Sequence, residues 1–600
     1  MNRPGTPINR FRQRGALSII TPLLLLIVIT LTVMALDGAR LYSLRSDMQS
    51  QVNVAAQAAA GEAQSCGGEA PSSAIVSQRA LAAATAQGFQ GSAADLQVQL
   101  GLIEDDDGDD VVSFQPVNLI EESNAVLVSY TRTEPISMLL PQSVFGGIDI
   151  SVNAAVRRQA VATISAAGGT AGVGGDATLL GSLLGVVLSQ PGFGLDPTDL
   201  NSLENATVQL GDLLTSAGVN DVVDLLPLEA STLAEALRDV GELTAPVADM
   251  LDDLVAAQGI ETVKVGDVID VVENTAVPES SEFPVYDLVI SLVLNLAKQQ
   301  QAGEGGVLSL PLTINDLSIP LVANITAVDL GLNVGEPPTV AVGPARQDAD
   351  GAWVTTFYAP DLTLQLSAQA ELLPFSLLGL LEFSLADLTI PLAVHAGGGK
   401  GQLVSADCAR GTNNSVEFGV HLERNVARIV TGSLTSEGEL QEEPLDATVG
   451  RLSLLFGALS VDGILYLNAE VDGEVPGVEE TVIMDPRYDL YCDPVEGCDS
   501  VQHSDLGDGV SGLDLDVEVN NAELLKSSFG GISLDPALNL ILDPVLDLLD
   551  SVVSSLGEAL INPLLKTLGV GLGGMSVNVS AANQDGVQLL ENVTVEASGQ

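Results

Sequence analysis

Residues 16–36, Ala-Leu-Ser-Ile-Ile-Thr-Pro-Leu-Leu-Leu-Leu-Ile-Val-Ile-Thr-Leu-Thr-Val-Met-Ala-Leu, run for 21 positions without a charged side chain. At about 1.5 Å of rise per residue a helix of this length crosses roughly 30 Å, the hydrocarbon thickness of a bilayer. The run therefore predicts one membrane-spanning helix. Arg3, Arg10, Arg12 and Arg14 precede it and no acidic residue does, so the positive-inside rule places residues 1–15 in the cytoplasm and the rest of the chain outside. A cleaved secretory signal is the competing reading, but its apolar core spans about 7 to 15 residues and ends in a small-x-small site. This run is longer and continues into Leu36-Asp37-Gly38-Ala39-Arg40, which predicts a retained anchor. A second uncharged stretch, 177–195, is interrupted by Gly181, Gly185, Pro191 and Gly192 and reads as a buried helix instead of a second span.

The acidity lies wholly beyond the span. The chain has 600 residues with 22 Lys+Arg against 79 Asp+Glu, a formal net charge of −57. Such a surface repels phosphate backbones and has few cations to neutralise them, which excludes direct nucleic-acid binding. With 46% hydrophobic residues the chain is not disordered throughout, and its length predicts about three to five domains.

After the span, Leu41, Leu44, Met48, Val52, Ala55 and Ala59 recur every three or four positions and draw one apolar stripe along a helix to about Gly61. A second helix is expected from Ala74 to Gln87, behind Ser72 and Ser73 and before Gly88. The period then becomes two: Leu96, Val98, Leu100 and Leu102, then Val126, Val128 and Tyr130, then Ile148, Ile150, Val152, Ala154 and Val156. These are expected strands. A long N-terminal helix, half in the membrane, followed by a small sheet is the plan of a pilin-like module.

Arg12-Gln13-Arg14-Gly15-Ala16, the apolar span, Leu36-Asp37-Gly38-Ala39-Arg40-Leu41-Tyr42 and the Ala-rich run Val54 to Ala60 resemble the N-terminal segment of TadE/TadG-like proteins of the Flp (tight-adherence) pilus assembly system. Glu336-Pro337-Pro338-Thr339-Val340-Ala341-Val342-Gly343-Pro344 with Gly351-Ala352-Trp353, and Asn562 to Val570, are similar to larger TadG-like members. The resemblance covers about a quarter of the chain. It implies a bacterial inner-membrane protein with a large periplasmic part, partnered by the lipid bilayer and by other pilus-assembly membrane proteins. Two departures narrow it. Prepilin-type substrates of this pathway carry Glu at the fifth position after the cleaved Gly, whereas the fifth residue after Gly15 is Ile20, which points to a retained assembly component. The Asp-x-Ser-x-Ser metal motif of the von Willebrand A domain found in some TadG-like proteins is absent, so that adhesion site is not carried over.

Beyond residue 166 the chain first reads as helices. Thr207-Val208-Gln209-Leu210-Gly211-Asp212-Leu213-Leu214 recurs 55 residues later as Thr262-Val263-Lys264-Val265-Gly266-Asp267-Val268-Ile269. Each copy is expected to be a short strand, a Gly-Asp turn and a helix start with Asp at the N-cap. Between them Thr232 and Glu235 form a capping box for a helix reaching about Ala257. From about 306 strict alternation returns at 362–370, 416–423 and 513–519, as in antiparallel strands with one wet face. A late amphipathic segment, Leu538, Leu542, Val545, Leu549, Val552 and Leu556, is expected to cover a sheet.

No catalytic residue is assigned, and no small-molecule substrate is inferred. His395, His421 and His503 are far apart and lack zinc-ligand spacing; His421 reads as a solvated residue on a polar strand face. Gly397 to Gly401 has no Ser or Thr after Lys400, so it reads as a hairpin turn and not a phosphate loop. The candidate metal ligands are Asp105, Asp107 and Asp109 in one acidic turn and Asp348 and Asp350 in another, hard oxygen donors beside a Gly as in Ca²⁺ sites. An EF-hand loop centred on Gly108 or Gly351 would lack its first ligand, so exposed acidic turns without a cofactor are the leading reading. Cys66, Cys408, Cys492 and Cys498 all follow the span; an oxidising compartment favours disulfides, and the three pairings stay open.

The expected architecture is α+β: a cytoplasmic N-terminus (1–15), a transmembrane helix (16–36), a stalk helix with a pilin-like module (37–166), a mostly helical region with the duplicated unit (167–305), a β-rich antiparallel domain (306–480) and strands with a covering amphipathic helix (481–600). The expected function is that of a non-enzymatic, membrane-anchored periplasmic scaffold. The alternative is an acidic, calcium-stabilised surface adhesin, and a carboxylate-dependent hydrolase ranks third.

Overall fold

A computed structural model describes residues 17–593, apart from 104–112, 138–145, 167–176, 491–501, 507–513, 534–549 and breaks of at most four residues. Asp105, Asp107, Asp109, Cys492 and Cys498 lie outside the described residues, as do the arginines before the span.

The fold begins with α1, Leu17–Ala60, 44 residues long. Its first part is apolar all round and fully exposed, with Leu23 61%, Leu26 64% and Leu36 64% accessible. It is long and apolar enough to cross a membrane. Thr30 and Thr32 donate their hydroxyls to the carbonyls of Leu26 and Val28 one turn back, so neither presents an unsatisfied polar group to an apolar medium. Further along, the expected stripe turns inward: Met48, Val52, Ala55 and Ala59 are buried and Leu41 and Leu44 half-buried.

That stripe packs on α2, Ser73–Ala86, and on one face of an antiparallel sheet. Its strands are β1 Leu96–Ile103, β2 Phe114–Pro116, β3 Ala125–Pro135 and β4 Gly147–Arg157, in the order β2-β1-β3-β4. Val126, Val128, Val152, Ala154 and Val156 face the helices, while Ile103, Phe114, Leu127 and Ala155 form a second small core. Phe89 meets Tyr130 edge to face at 5.0 Å. The fifth strand of this sheet is Gln588–Glu591, which pairs with β4.

The rest is mixed α+β with a β-rich antiparallel part. The largest core joins the helices between 177 and 304 to a twelve-stranded sheet. At its centre the helix Val285–Glu304 buries Val285, Tyr286, Leu288, Val289, Ile290, Leu292, Val293 and Leu294 at 1% exposure or less, so its first turns are enclosed on all sides. The stretch from 177 also forms a buried helix, Ala177–Val187. Of the late amphipathic segment, Val552 and Leu556 are buried in this core, and Leu538 to Leu549 lie outside the described residues. A six-stranded sheet runs Gln502–Leu506, Gly574–Asn583, β5 (Val161–Ser165), Val340–Pro344, Ile269–Val271, with the short strand Val570–Gly571 paired to Gly574–Asn583; the pair Val340–Pro344 and Ile269–Val271 is parallel. A separate sheet runs Thr356–Ala359, Gly399–Asp407, Ser415–Arg424, Val478–Ile483. Strands from near the C-terminus thus complete sheets begun by β4 and β5.

Three local expectations need correction. The helix expected from Thr232 to about Ala257 is two, Ala230–Arg238 and Ala245–Val255; Thr232 is not a cap, and Pro246 sits in the first turn of the second helix, where its missing N–H is harmless. Of the duplicated unit, the first copy forms the strand Thr207–Gln209 and the helix Leu210–Ala217, with Gln209 and not Asp212 at the N-cap. The second becomes a 3₁₀ turn, Val265–Asp267, followed by the strand Ile269–Val271, because β-branched residues follow it where Leu-Leu-Thr-Ser-Ala follows the first. Gly397 to Gly401 is a crossover and not a hairpin. The strands on either side, Asp387–His395 and Gly399–Asp407, belong to different sheets. Gly397 has φ +66°, and a Cβ there would lie 2.5 Å from the Val426 carbonyl oxygen.

Candidate functional site

The segment after α1 is tied to the strand Gly399–Asp407 by several independent bonds. Cys66 and Cys408 form a disulfide, 342 residues apart with Cα atoms 5.0 Å apart. The Gly68 N–H donates to Ala406 O at 3.0 Å, and the Gln64 side chain donates to Val404 O at 2.9 Å. Arg410 donates to the Glu62 carboxylate and to Gly61 O, both at 2.8 Å, and Arg79 donates to the same carboxylate oxygen at 3.0 Å. Arg158 donates to Ala409 O at 3.0 Å; burial, then the neighbouring Arg410, lowers its guanidinium below the ordinary arginine value. Two cations gathered on Glu62 and a buried covalent link make this joint a rigid connection.

A cleft of about 520 Å³ opens beside the joint. Its floor is one row across three strands, Gln402, His421 and Thr481, which are direct register partners. His421 is held from both ring nitrogens, by Thr481 Oγ1 at 3.0 Å and Glu479 Oε1 at 3.3 Å. One wall comes from the joint, with Gln64, Glu69 and Pro71. Trp353, the single tryptophan of the chain, also lines it. The Trp353 loop is fastened too: Gln347 bridges to Trp353 and donates its N–H to Glu121 O at 2.8 Å, which brings Glu121 into the lining.

The sequence-derived candidates fare unevenly. Asp348 closes the same loop, its Oδ1 accepting the Asp350 and Ala352 N–H groups at 2.9 Å each, with Gly351 at φ +85°. That is a turn closed by its own backbone N–H groups. Among the described residues no group of three or more His, Cys, Asp or Glu side chains is placed to hold a metal ion. His395 bonds Asp361 at 2.8 Å, which, ahead of burial acting the other way, holds that carboxyl below its usual value. His421 is half-buried in the cleft floor, not simply solvated. Strand alternation alone could not show this, since the covering loops come from residues 64–71, 121 and 353. No protein-family model, no curated protein and no solved structure matches the chain.

Proposed function

We propose that the protein is a single-pass, membrane-anchored structural component of a bacterial envelope assembly, a scaffold of the TadG-like kind that its N-terminal residues resemble, held in the inner membrane with its large folded part in the periplasm. The continuity of α1 carries this reading. One unbroken helix passes from a fully exposed apolar segment into the core of the first helix–sheet module, so a force or displacement on the folded part reaches the membrane segment without a flexible linker. The disulfide, the Glu62 cluster and the returning strands Gly574–Asn583 and Gln588–Glu591 support the same role by fastening that module to the rest. A scaffold of this kind requires no catalytic group. The pilin-like plan of residues 37–166 belongs to this proposal, as do the partners, the bilayer and neighbouring helices of the assembly.

Deleting the gene is expected to abolish surface pili while prepilin still accumulates in the membrane. The full chain should restore piliation, and a chain with a cleavable signal in place of residues 1–36 should not. Normal piliation of the deletion strain would overturn the proposal; loss of adhesion with intact pili would favour the adhesin instead.

A further inference from the structure

We propose that the cleft beside Trp353 binds an organic cation, an ammonium or guanidinium group. The volume of about 520 Å³ lies within the range of small-ligand pockets. Its lining carries two carboxylates, Glu69 and Glu121, and no Lys or Arg. Neither carboxylate has a hydrogen-bond or ion-pair partner among the described residues, unlike Glu62 a few residues away, which is held by two arginines. The indole of Trp353 is the best cation–π face a protein can offer. Both ring nitrogens of His421 are engaged, by Thr481 and Glu479, so neither is free to bond a ligand. An anion would meet the Glu69 and Glu121 carboxylates with no counter-charge in the lining, and a neutral ligand would leave both unanswered. The long-range field of a chain with net charge −57 also draws cations towards it. The disulfide and the Gln64, Gly68 and Gln347 bonds hold the lining in place before a ligand arrives, which reduces the ordering cost of binding. This inference stands apart from the proposed scaffold role.

The same chemistry arises in a free amine and in a Lys or Arg side chain of another protein. The single tryptophan supplies the readout. With the full-length chain in nanodiscs, fluorescence excited at the indole edge is followed during titration with choline, argininamide and an Arg- and Lys-containing decapeptide, with 3,3-dimethylbutan-1-ol as the neutral isostere of choline. Saturable shifts are expected with the cations and none with the alcohol. Glu69→Gln, at an exposed position, and Glu121→Gln, at a half-buried one, should leave the melting temperature unchanged and should each weaken binding by about fivefold or more. A peptide that binds at least about tenfold more tightly than argininamide identifies a protein side chain as the natural source; equal affinities identify a free amine. An equal response to the alcohol, no saturable response to any cation, or unaltered affinity in both Gln variants would overturn the proposal.

Discussion

Replacing Cys66 and Cys408 together with alanine is expected to destabilise the joint by about 2 to 5 kcal/mol, read from the urea midpoint of the folded part. The link closes 342 residues, and in the chain-entropy description a loop of that length lies at the top of the range. The value falls below that limit because the strand Gln588–Glu591 and the Arg410–Glu62 pair also cross the joint. They restrict the same ends after the disulfide has gone. Cys66 is 0% and Cys408 3% exposed, so a reductant should act on the folded protein only as fast as the joint opens. Limited proteolysis locates the effect: new cleavage is expected between residues 61 and 72, with the module formed by α1, α2 and β1–β4 staying resistant. An unchanged urea midpoint would mean that the remaining contacts carry the joint alone.

Asp287→Ala should be at least as damaging, at about 3 to 5 kcal/mol. Asp287 sits in the first turn of the central helix with 0% exposure. Its Oδ2 accepts the Ser165 hydroxyl and, at 3.2 Å, the Asn578 amide. Those donors come from β5 and from the strand Gly574–Asn583, which are hydrogen-bonded neighbours, and both are 1% exposed. Alanine would remove two buried hydrogen bonds to a carboxylate, each worth about 1.5 to 3 kcal/mol, and would take that carboxylate from a helix N-terminus, where it is favoured. Beside it the wholly buried Tyr286 hydroxyl donates to Thr567 O. Burial, then the nearby Glu204 and Asp287, pushes it well above the usual tyrosine value. Asp287→Asn keeps an acceptor and should lose about half as much. A loss below about 1 kcal/mol in the alanine variant, measured by urea unfolding, would show that the central helix is not keyed to the sheet through this residue.

What could be read from the residues in order was whatever depends on neighbours in sequence. The uncharged span, the stripe from Leu41 to Ala59 and the alternation in β3, β4 and Ser415–Arg424 each declare a period, and the structure has a helix or strand at each. The errors are local rivalries. The first helix stops at Arg238 and Pro246 lies in the first turn of a second one, and β-branched residues after Asp267 turned a repeated motif into a strand. The long-range features had no such signal. Nothing in the local pattern of Gln588–Glu591 announces β4 as its partner, more than four hundred residues earlier. Among three open cysteine pairings only the fold brings Cys66 to Cys408. The cleft was illegible for the same reason: His421 looks like any polar residue on an alternating strand until Trp353 and Glu69 are folded over it. A single tryptophan beside Gly351 in a chain with 3% aromatic residues was the one signal that could have drawn attention to that loop.

We propose that α1, long and apolar enough to cross a membrane, is at once a membrane anchor and the first element of the folded exterior. Spheroplasts of cells carrying the native, C-terminally tagged chain, treated with protease and then extracted with carbonate, test it directly, with intact mass fixing the N-terminus. A full-length protein that resists carbonate extraction and loses its tagged part to protease added from outside is expected. A chain beginning at Ala16 and recovered in the sheared surface fraction would contradict it, as would a full-length chain released by carbonate.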